Sequence, residues 1–347
     1  MDWTKGFTAS YYIAEVDPES WRDIGFMDII DGSVKHEATD LRDSASLTMK
    51  KYDGKERWLR IYLDASQNGA SEHVPLFTGL ATSPGRDYKG DYETSRVELY
   101  STLKPCSDIL LQRGWYAPTG ISAGVIIENL LANTPAPHHI NGVIPELSQS
   151  IIAEDDETAL TMIDKILKAV NSGQGEDAVI WRMSIDGDGT IEIEEVSNDP
   201  VISFNRNDAD AIEPEVSVES DWYSLPNVFR AVSDDLVAVA RDERVDSPLS
   251  IGNRGREIWS QEDNIDLNEN ESITDYAVRR LKELQEVAEK VSYKRRFNPE
   301  IKVGDRVFLN YPELKLSDSY IVSTQEINLG NGAETTEEVN NGYVDRE

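Results

Sequence analysis

The segment RWLRIYLD (57–64) alternates cleanly. Leu59, Ile61 and Leu63 fall on one face, and Arg60 and Tyr62 on the other, which is the period-two pattern of a strand. Four more short runs in the first hundred residues are rich in β-branched and aromatic side chains: 11–17, 44–52, 74–82 and 94–103. Turn signals separate them at Asp53-Gly54, Asn68-Gly69 and Pro84-Gly85. Several short strands at this spacing predict a small sandwich or barrel.

The period changes after Lys104-Pro105. Ser122 is placed to cap a helix through Val125, Ile126, Leu130 and Leu131. A second helix is expected from the acidic run 155–157, with a stripe of Leu160, Ile163, Ile166, Leu167 and Val170 that Asn171-Ser172-Gly173 stops. Strands follow at 178–185 and 190–196. From Asp208 onward, EPEVSVESD and PNVFRAVSDDLVAVARDE read as two or three strands. Ser272 to Asp275 resembles a capping box and opens what reads as the longest helix, with Ile273, Ala277, Leu281, Leu284 and Ala288 on one stripe. Strands return at 302–311 and 319–329, and the polar tail from Asn331 is expected to fray. The fold class is therefore α+β and β-rich, with two barrel-like β domains flanking an α/β middle domain that holds a helix–hairpin unit. The boundaries are 1–104, 105–207 and 208–347.

Between the two middle strands lies SIDGDGTIEIEE (184–195). It nearly fits a calcium loop, with Asp186 and Asp188 at alternate positions, Gly189 at the bend and Glu195 at the close. An EF-hand, however, needs a helix on each side and an acidic first ligand. Here the flanks alternate as strands and Ser184 stands first. Asp186-Gly187 and Asp188-Gly189 are strong hairpin turn signals. The pattern favours a hairpin and no metal; calcium ligation by Asp186, Asp188 and Glu195 is the alternative.

The remaining chemistry is sparse. His138-His139 lies in a Pro-bounded stretch without a carboxylate or cysteine at ligand spacing, and is expected in a solvated loop. Gly173-Gln174-Gly175 lacks the third glycine of a dinucleotide fingerprint. There is no phosphate-binding loop, nucleophile elbow or cysteine with a plausible base. No catalytic, cofactor-binding or metal residue is assigned, and the chain is read as not an enzyme. Trp181 and Trp259 are expected as core or interface anchors.

Charge narrows the partners. Across 347 residues, 65 acidic and 34 basic side chains give a net charge of −31. Such a surface repels nucleic acid and anionic membranes. Cys106 is alone, so no intrachain disulfide forms. The start MDWTKGFTASYY carries no basic segment followed by an apolar run, and no stretch reaches the ~18 apolar residues of a span. Folding in a cytoplasm without membrane insertion is expected.

These residues resemble a known family. YYIAEVDPESWRDIG (11–25) and IIDGSVKHEATDLRDSASLTM (29–49), with its TDLRDSASL loop (39–47), are similar to the start of phage tail hub proteins and hubs of related contractile injection machines. PLFTGLATSP (75–84), the helix-then-hairpin unit 157–196, LPNVFRAV (225–232), the helix 273–290, IKVGDRVFL (301–309) and DSYIVSTQEINL (318–329) follow in the family's order. The resemblance implies a homotrimer whose two tube-like domains per subunit form a six-part ring. That ring would adapt the six-fold tail tube to a three-fold spike or tip. It also implies a place in the virion tail, assembly in the host bacterial cytoplasm and a role in genome ejection. The implied partners are the tail tube protein, a spike or tail-tip protein and other baseplate proteins, with a tape-measure protein as a further candidate and DNA passing through the lumen unbound. The acidic charge would then help DNA pass. Longer relatives carry a peptidase or hydrolase after the hub; no such motif is found here. The alternative is an acidic, calcium-tuned β-rich binding module for carbohydrate or a protein partner. A glycosidase with paired carboxylates is a third reading.

Overall fold

In the computed structural model of the chain, the alternation at 57–64 becomes the centre of a large sheet. The structure describes residues 1–38, 43–50, 52–82, 84–89, 92–172, 179–206, 212–219, 223–233, 236–263, 265, 272–286, 290–330 and 332–340. The first region forms strands β1 (Thr8–Val16), β2 (Asp23–Met27), β3 (Ile29–Glu37), β4 (Ser44–Met49), β5 (Trp58–Gln67), β6 (Ala70–Ala81), β7 (Gly85–Lys89) and β8 (Tyr92–Ser101). The middle holds α1 (Lys104–Asp108), β9 (Tyr116–Ala117), α2 (Ala123–Leu131), β10 (His138–Ile140), β11 (Ile151–Ile152), α3 (Ala159–Ser172), β12 (Trp181–Ile185) and β13 (Ile191–Glu195). Then come β14 (Ile202–Asn205), β15 (Ile212–Glu219), β16 (Val228–Ser233), β17 (Leu236–Arg241), α4 (Ile251–Arg254), β18 (Trp259–Asp263), α5 (Ile273–Glu286), β19 (Lys290–Arg296), β20 (Arg306–Tyr311), β21 (Leu316–Asn328) and β22 (Glu334–Asn340).

The chain divides into two compact units. Among the described residues, the first is Met1–Val216 with Tyr293–Glu338; the second is Ser217–Ser292 with Val339 and Asn340. The main sheet has 14 strands in the order β15-β19-β22-β21-β3-β4-β8-β6-β5-β1-β2, with β14 and β20 beside β21 and β7 beside β8. The fold is β-rich as expected, but the described strands form several sheets and no closed barrel. The reason is a cross-pairing. β21 pairs antiparallel with β3, from Thr324 opposite Glu37 to Asn328 opposite Ser33. The early and late strands therefore share one sheet instead of closing two. Leu59, Ile61 and Leu63 point into its core with Ile13, Leu47, Phe77, Val97 and Leu99. Each such side chain contributes about 1.5–3 kcal/mol on leaving water.

A second core in the same unit joins the helices to the hairpin: Ile127, Leu131, Met162, Ile163, Ile166, Trp181, Met183, Ile191 and Ile193. The α3 stripe is as expected, but the helix starts at Ala159 and has no acidic residue in its first turn. Glu157 lies just before it, accepting the Glu154 amide and pairing with Lys165. Gly173 lies outside the described residues. Asn171 ties helix to hairpin, donating to the Trp181 carbonyl and accepting its amide, both at 2.9 Å. Ser122 precedes α2 but does not cap it with its side chain; its hydroxyl donates to the Ile144 carbonyl at 2.6 Å.

Two further expectations are corrected. His138 and His139 are in no loop: they lie on β10, parallel to β13, opposite Ile191 and Glu192. The tail does not fray at its start. Alternation in β22 buries Thr335, Glu337 and Val339, and Glu337 meets Arg295 in a fully buried ion pair. Within the described residues α5 and α3 each run 14 residues, and Ala288, on the expected α5 stripe, lies outside them.

In the second unit, α5 packs on one face of the sheet β17-β16-β18. Phe229, Ala231, Ala238 and Ala240 meet Ala277 and Leu281 there. Ser272 caps the helix as expected, accepting the Asp275 amide at 3.1 Å.

Candidate functional site

The turn between β12 and β13 is a hairpin bend whose flanks pair from Trp181 opposite Glu195 to Ile185 opposite Ile191. Asp186 donates its amide to the Thr190 carbonyl at 2.9 Å, and Gly189 donates to the Asp186 carbonyl at 2.7 Å. The Asp188 carboxylate accepts the Thr190 amide at 2.9 Å and so holds its own bend. Gly189 takes φ +84°, which glycine adopts without a Cβ penalty.

This turn is docked on the outer face of the main sheet. Arg60 Nη2 and Trp21 Nε1 both donate to the Asp188 carbonyl at 2.9 Å, and Thr78 Oγ1 donates to the Gly187 carbonyl at 2.9 Å. Arg60 also donates through Nε to Thr78 Oγ1 at 3.0 Å and pairs with Asp23 at 2.8 Å; Tyr62 donates to the other Asp23 oxygen at 2.8 Å. Covered in this way, Arg60 is only 6% exposed although it stands on the polar face of β5. A guanidinium is suited to the place because its fixed fork serves three acceptors at once. The fit leaves no room for a side chain at either glycine of the turn. A Cβ on Gly187 would lie 2.0 Å from the Pro75 carbonyl oxygen, and one on Gly189 2.8 Å from Thr78.

The segment leading into β20 holds the same hairpin. Lys302 reaches Asp186 at 2.6 Å. Arg182 pairs with Glu194 at 2.9 Å and Asp305 at 3.2 Å, and donates to the Val303 carbonyl. Beside the turn lies a cavity of about 110 Å³ lined by His36, Asp43, Leu76, Arg182, Gly187 and Gln325, among others. His36 Nδ1 lies 2.9 Å from Asp43. Burial alone would depress the imidazole, but the Asp43 charge and hydrogen bond, with the Leu76 carbonyl, outweigh it and raise its pKa.

Of the alternative calcium ligands, Asp186 and Asp188 lie together in the turn, each with the partner just named, while Glu195 stands at the far end of the hairpin opposite Trp181. Among the described residues, no three His, Cys, Asp or Glu side chains are grouped to hold a metal ion. Trp181 is a core residue and Trp259 is half exposed on an outer sheet face. Cys106 is buried and free. No helix is long and apolar enough to cross a membrane among the described residues. The sequence did not point to Arg60, Trp21, Thr78 or Lys302 as partners of the turn; an arginine on the outer face of the alternating segment 57–64 gives no sign of its partner.

No protein-family model matches the sequence, and no curated protein is detectably similar to it. The likeness is in structure. The tail protein from Neisseria meningitidis MC58 matches with a TM-score of 0.67 at 13% identity, over 95% of this chain and 96% of that one. The prophage MuSo2 43 kDa tail protein from Shewanella oneidensis matches at 0.65 and 12%, over 95% and 98%. A chain of the Francisella PdpA-VgrG complex matches at 0.56 and 9%; 98% of this chain covers 58% of it. These neighbours agree with the tail-hub resemblance read from the sequence.

Proposed function

We propose that this chain is a structural hub of a phage tail or a phage-like injection machine. In this reading it is a trimeric adaptor between the six-fold tail tube and a three-fold tip or spike. Residues 1–104 and 208–347 supply the two ring-forming portions of each subunit, and 105–207 the middle body. The observation that carries the reading is the end-to-end structural match to a tail protein, 95% of this chain on 96% of the other. The docked hairpin supports a rigid structural role. A turn held by Arg60, Trp21, Thr78 and Lys302 ties the early strands, the middle body and the late strands into one unit. The chain has no enzymatic role in this account. Its partners are the tube protein, the spike or tip protein and neighbouring baseplate proteins, with the tape measure and then DNA passing inside. The −31 charge keeps the passing DNA from adhering. The protein is assembled in the host bacterial cytoplasm and resides in the virion tail.

The test is to label the chain in purified particles with a specific antibody and image them. Labelling at the distal end of the tube is expected. Labelling of the head, or of no part of the particle, overturns the proposal.

A further inference from the structure

In the second unit, α5 covers the face of the sheet β17-β16-β18 that carries Phe229, Ala231, Ala238 and Ala240. Strand alternation turns the intervening side chains to the opposite face. Arg230 stands at the centre of that face, between Val239 on β17 and Gln261 on β18, with Val237 and Trp259 at opposite corners. Val237, Val239 and Trp259 are 56%, 43% and 51% exposed. Exposed valines around an arginine and a tryptophan are the make-up of a protein-binding surface, where Trp and Arg are enriched.

The other polar groups of this face are engaged with one another. Arg241 pairs with Glu257 and lies over the Trp259 ring at 5.4 Å, and Trp259 Nε1 donates to Glu257 at 3.0 Å. Gln261 donates to both oxygens of Asp263, at 2.8 and 2.7 Å. Arg230 is exposed and, among the described residues, makes no hydrogen bond or ion pair. Of the other described arginines only Arg22 shares that state, in a chain with 65 acidic side chains to choose from. The positive charge at the middle of the face is therefore left uncompensated by the protein itself.

We propose that this face takes an amphipathic helix of a partner protein, with an aspartate or glutamate set in the helix's apolar stripe to meet Arg230. Charge selects the chemistry. The apolar surface at Val237, Val239 and Trp259 gains from cover, but a guanidinium that leaves water unpaired is costly, so the cover must bring a carboxylate to the centre. The planar fork of arginine suits a bidentate carboxylate. A polyanion is disfavoured by the net charge of −31, whereas one carboxylate inside an apolar stripe brings a single charge. Width selects the element. Three strands span about 10 Å, which is the diameter of one helix, and α5 fills the same footprint on the other side. The inference does not rest on the tail reading.

The experiment is a selection on the immobilised full chain from a library of helical peptides with randomised surface positions, followed by calorimetry of the enriched peptides and a second selection on Arg230→Glu. Enriched peptides are expected to share an Asp or Glu flanked by apolar residues at helical spacing. Arg230→Glu and Trp259→Ala, both at exposed positions, should each weaken them by about tenfold or more. The second selection is expected to replace the acid with Lys or Arg. A library that yields no binder, or the same sequences on both chains, overturns the proposal. So does self-association that Arg230→Glu abolishes, which would seat a second copy on the face. Binding of single-stranded oligothymidylate that Arg230→Glu abolishes overturns it as well, by making the face a nucleic-acid surface.

Discussion

Gly187→Ala is the sharpest perturbation of the docked turn. Gly187 has no positive φ, so alanine carries no backbone penalty there and the whole effect is steric. The new methyl would sit 2.0 Å from the Pro75 carbonyl oxygen, a backbone atom of β6 that cannot rotate away. The turn must retreat by about 1 Å or more to restore an ordinary contact, a forced shift of the kind that costs about 1–3 kcal/mol. If it lifts off instead, the bonds from Thr78, Arg60 and Trp21 go with it, at about 0.5–1.5 kcal/mol each. The first route predicts a loss of about 1–3 kcal/mol and the second about 1.5–4.5 kcal/mol. Gly69→Ala is the control: its φ is +85° and nothing lies within 4 Å, so only the conformational cost of about 1–2 kcal/mol applies. Urea unfolding gives the stabilities, and the Trp21 indole N–H, followed by hydrogen exchange, reports undocking directly. A Gly187→Ala protein within about 0.5 kcal/mol of wild type, with the Trp21 indole still protected, refutes the docking account.

Other consequences follow from the same geometry. Glu337→Ala strands Arg295 in the core and should cost about 3–5 kcal/mol, whereas the apolar double replacement Arg295→Met, Glu337→Leu should recover most of it; a urea double-mutant cycle without coupling contradicts this. His36 has its folded pKa raised above 6.5. Its tie to Asp43 therefore contributes fully below about pH 6.5 and fades as pH rises through the folded value, with Glu37, Asp186, Arg182 and Lys302 as the other charges lining the cavity. Melting profiles from pH 5 to 9 should show a decline over that window that Asp43→Asn abolishes, and identical profiles contradict it. Millimolar calcium should leave the melting temperature unchanged, because Asp186 and Asp188 are engaged with Lys302 and Thr190. An upward shift would restore the calcium-loop reading.

Local pattern carried the elements well. The alternation of 57–64, the α3 stripe and the Ser272 cap each became what their spacing dictates, because in each the local preference and the burial agree. The glycine turn was legible as a hairpin for the same reason. Where it docks was not, since its partners lie at Trp21, Arg60, Thr78 and Lys302, more than a hundred residues away in every case. The β21–β3 pairing that keeps the sheet from closing into separate barrels is equally remote in sequence. β22 was missed because ETTEEVN looks polar. Its inward Glu337 is tolerated only because Arg295 stands across from it, and one strand cannot disclose its partner. His138-His139 was missed because a three-residue parallel strand has no period to detect.

The proposed place of this chain as an adaptor at the end of a tail tube is tested most directly by its copy number in the purified particle, from quantitative mass spectrometry against the tube protein as internal standard. Three copies per particle at a single tail end are predicted; one copy, copies in proportion to the length of the tube, or absence from the particle contradicts the account.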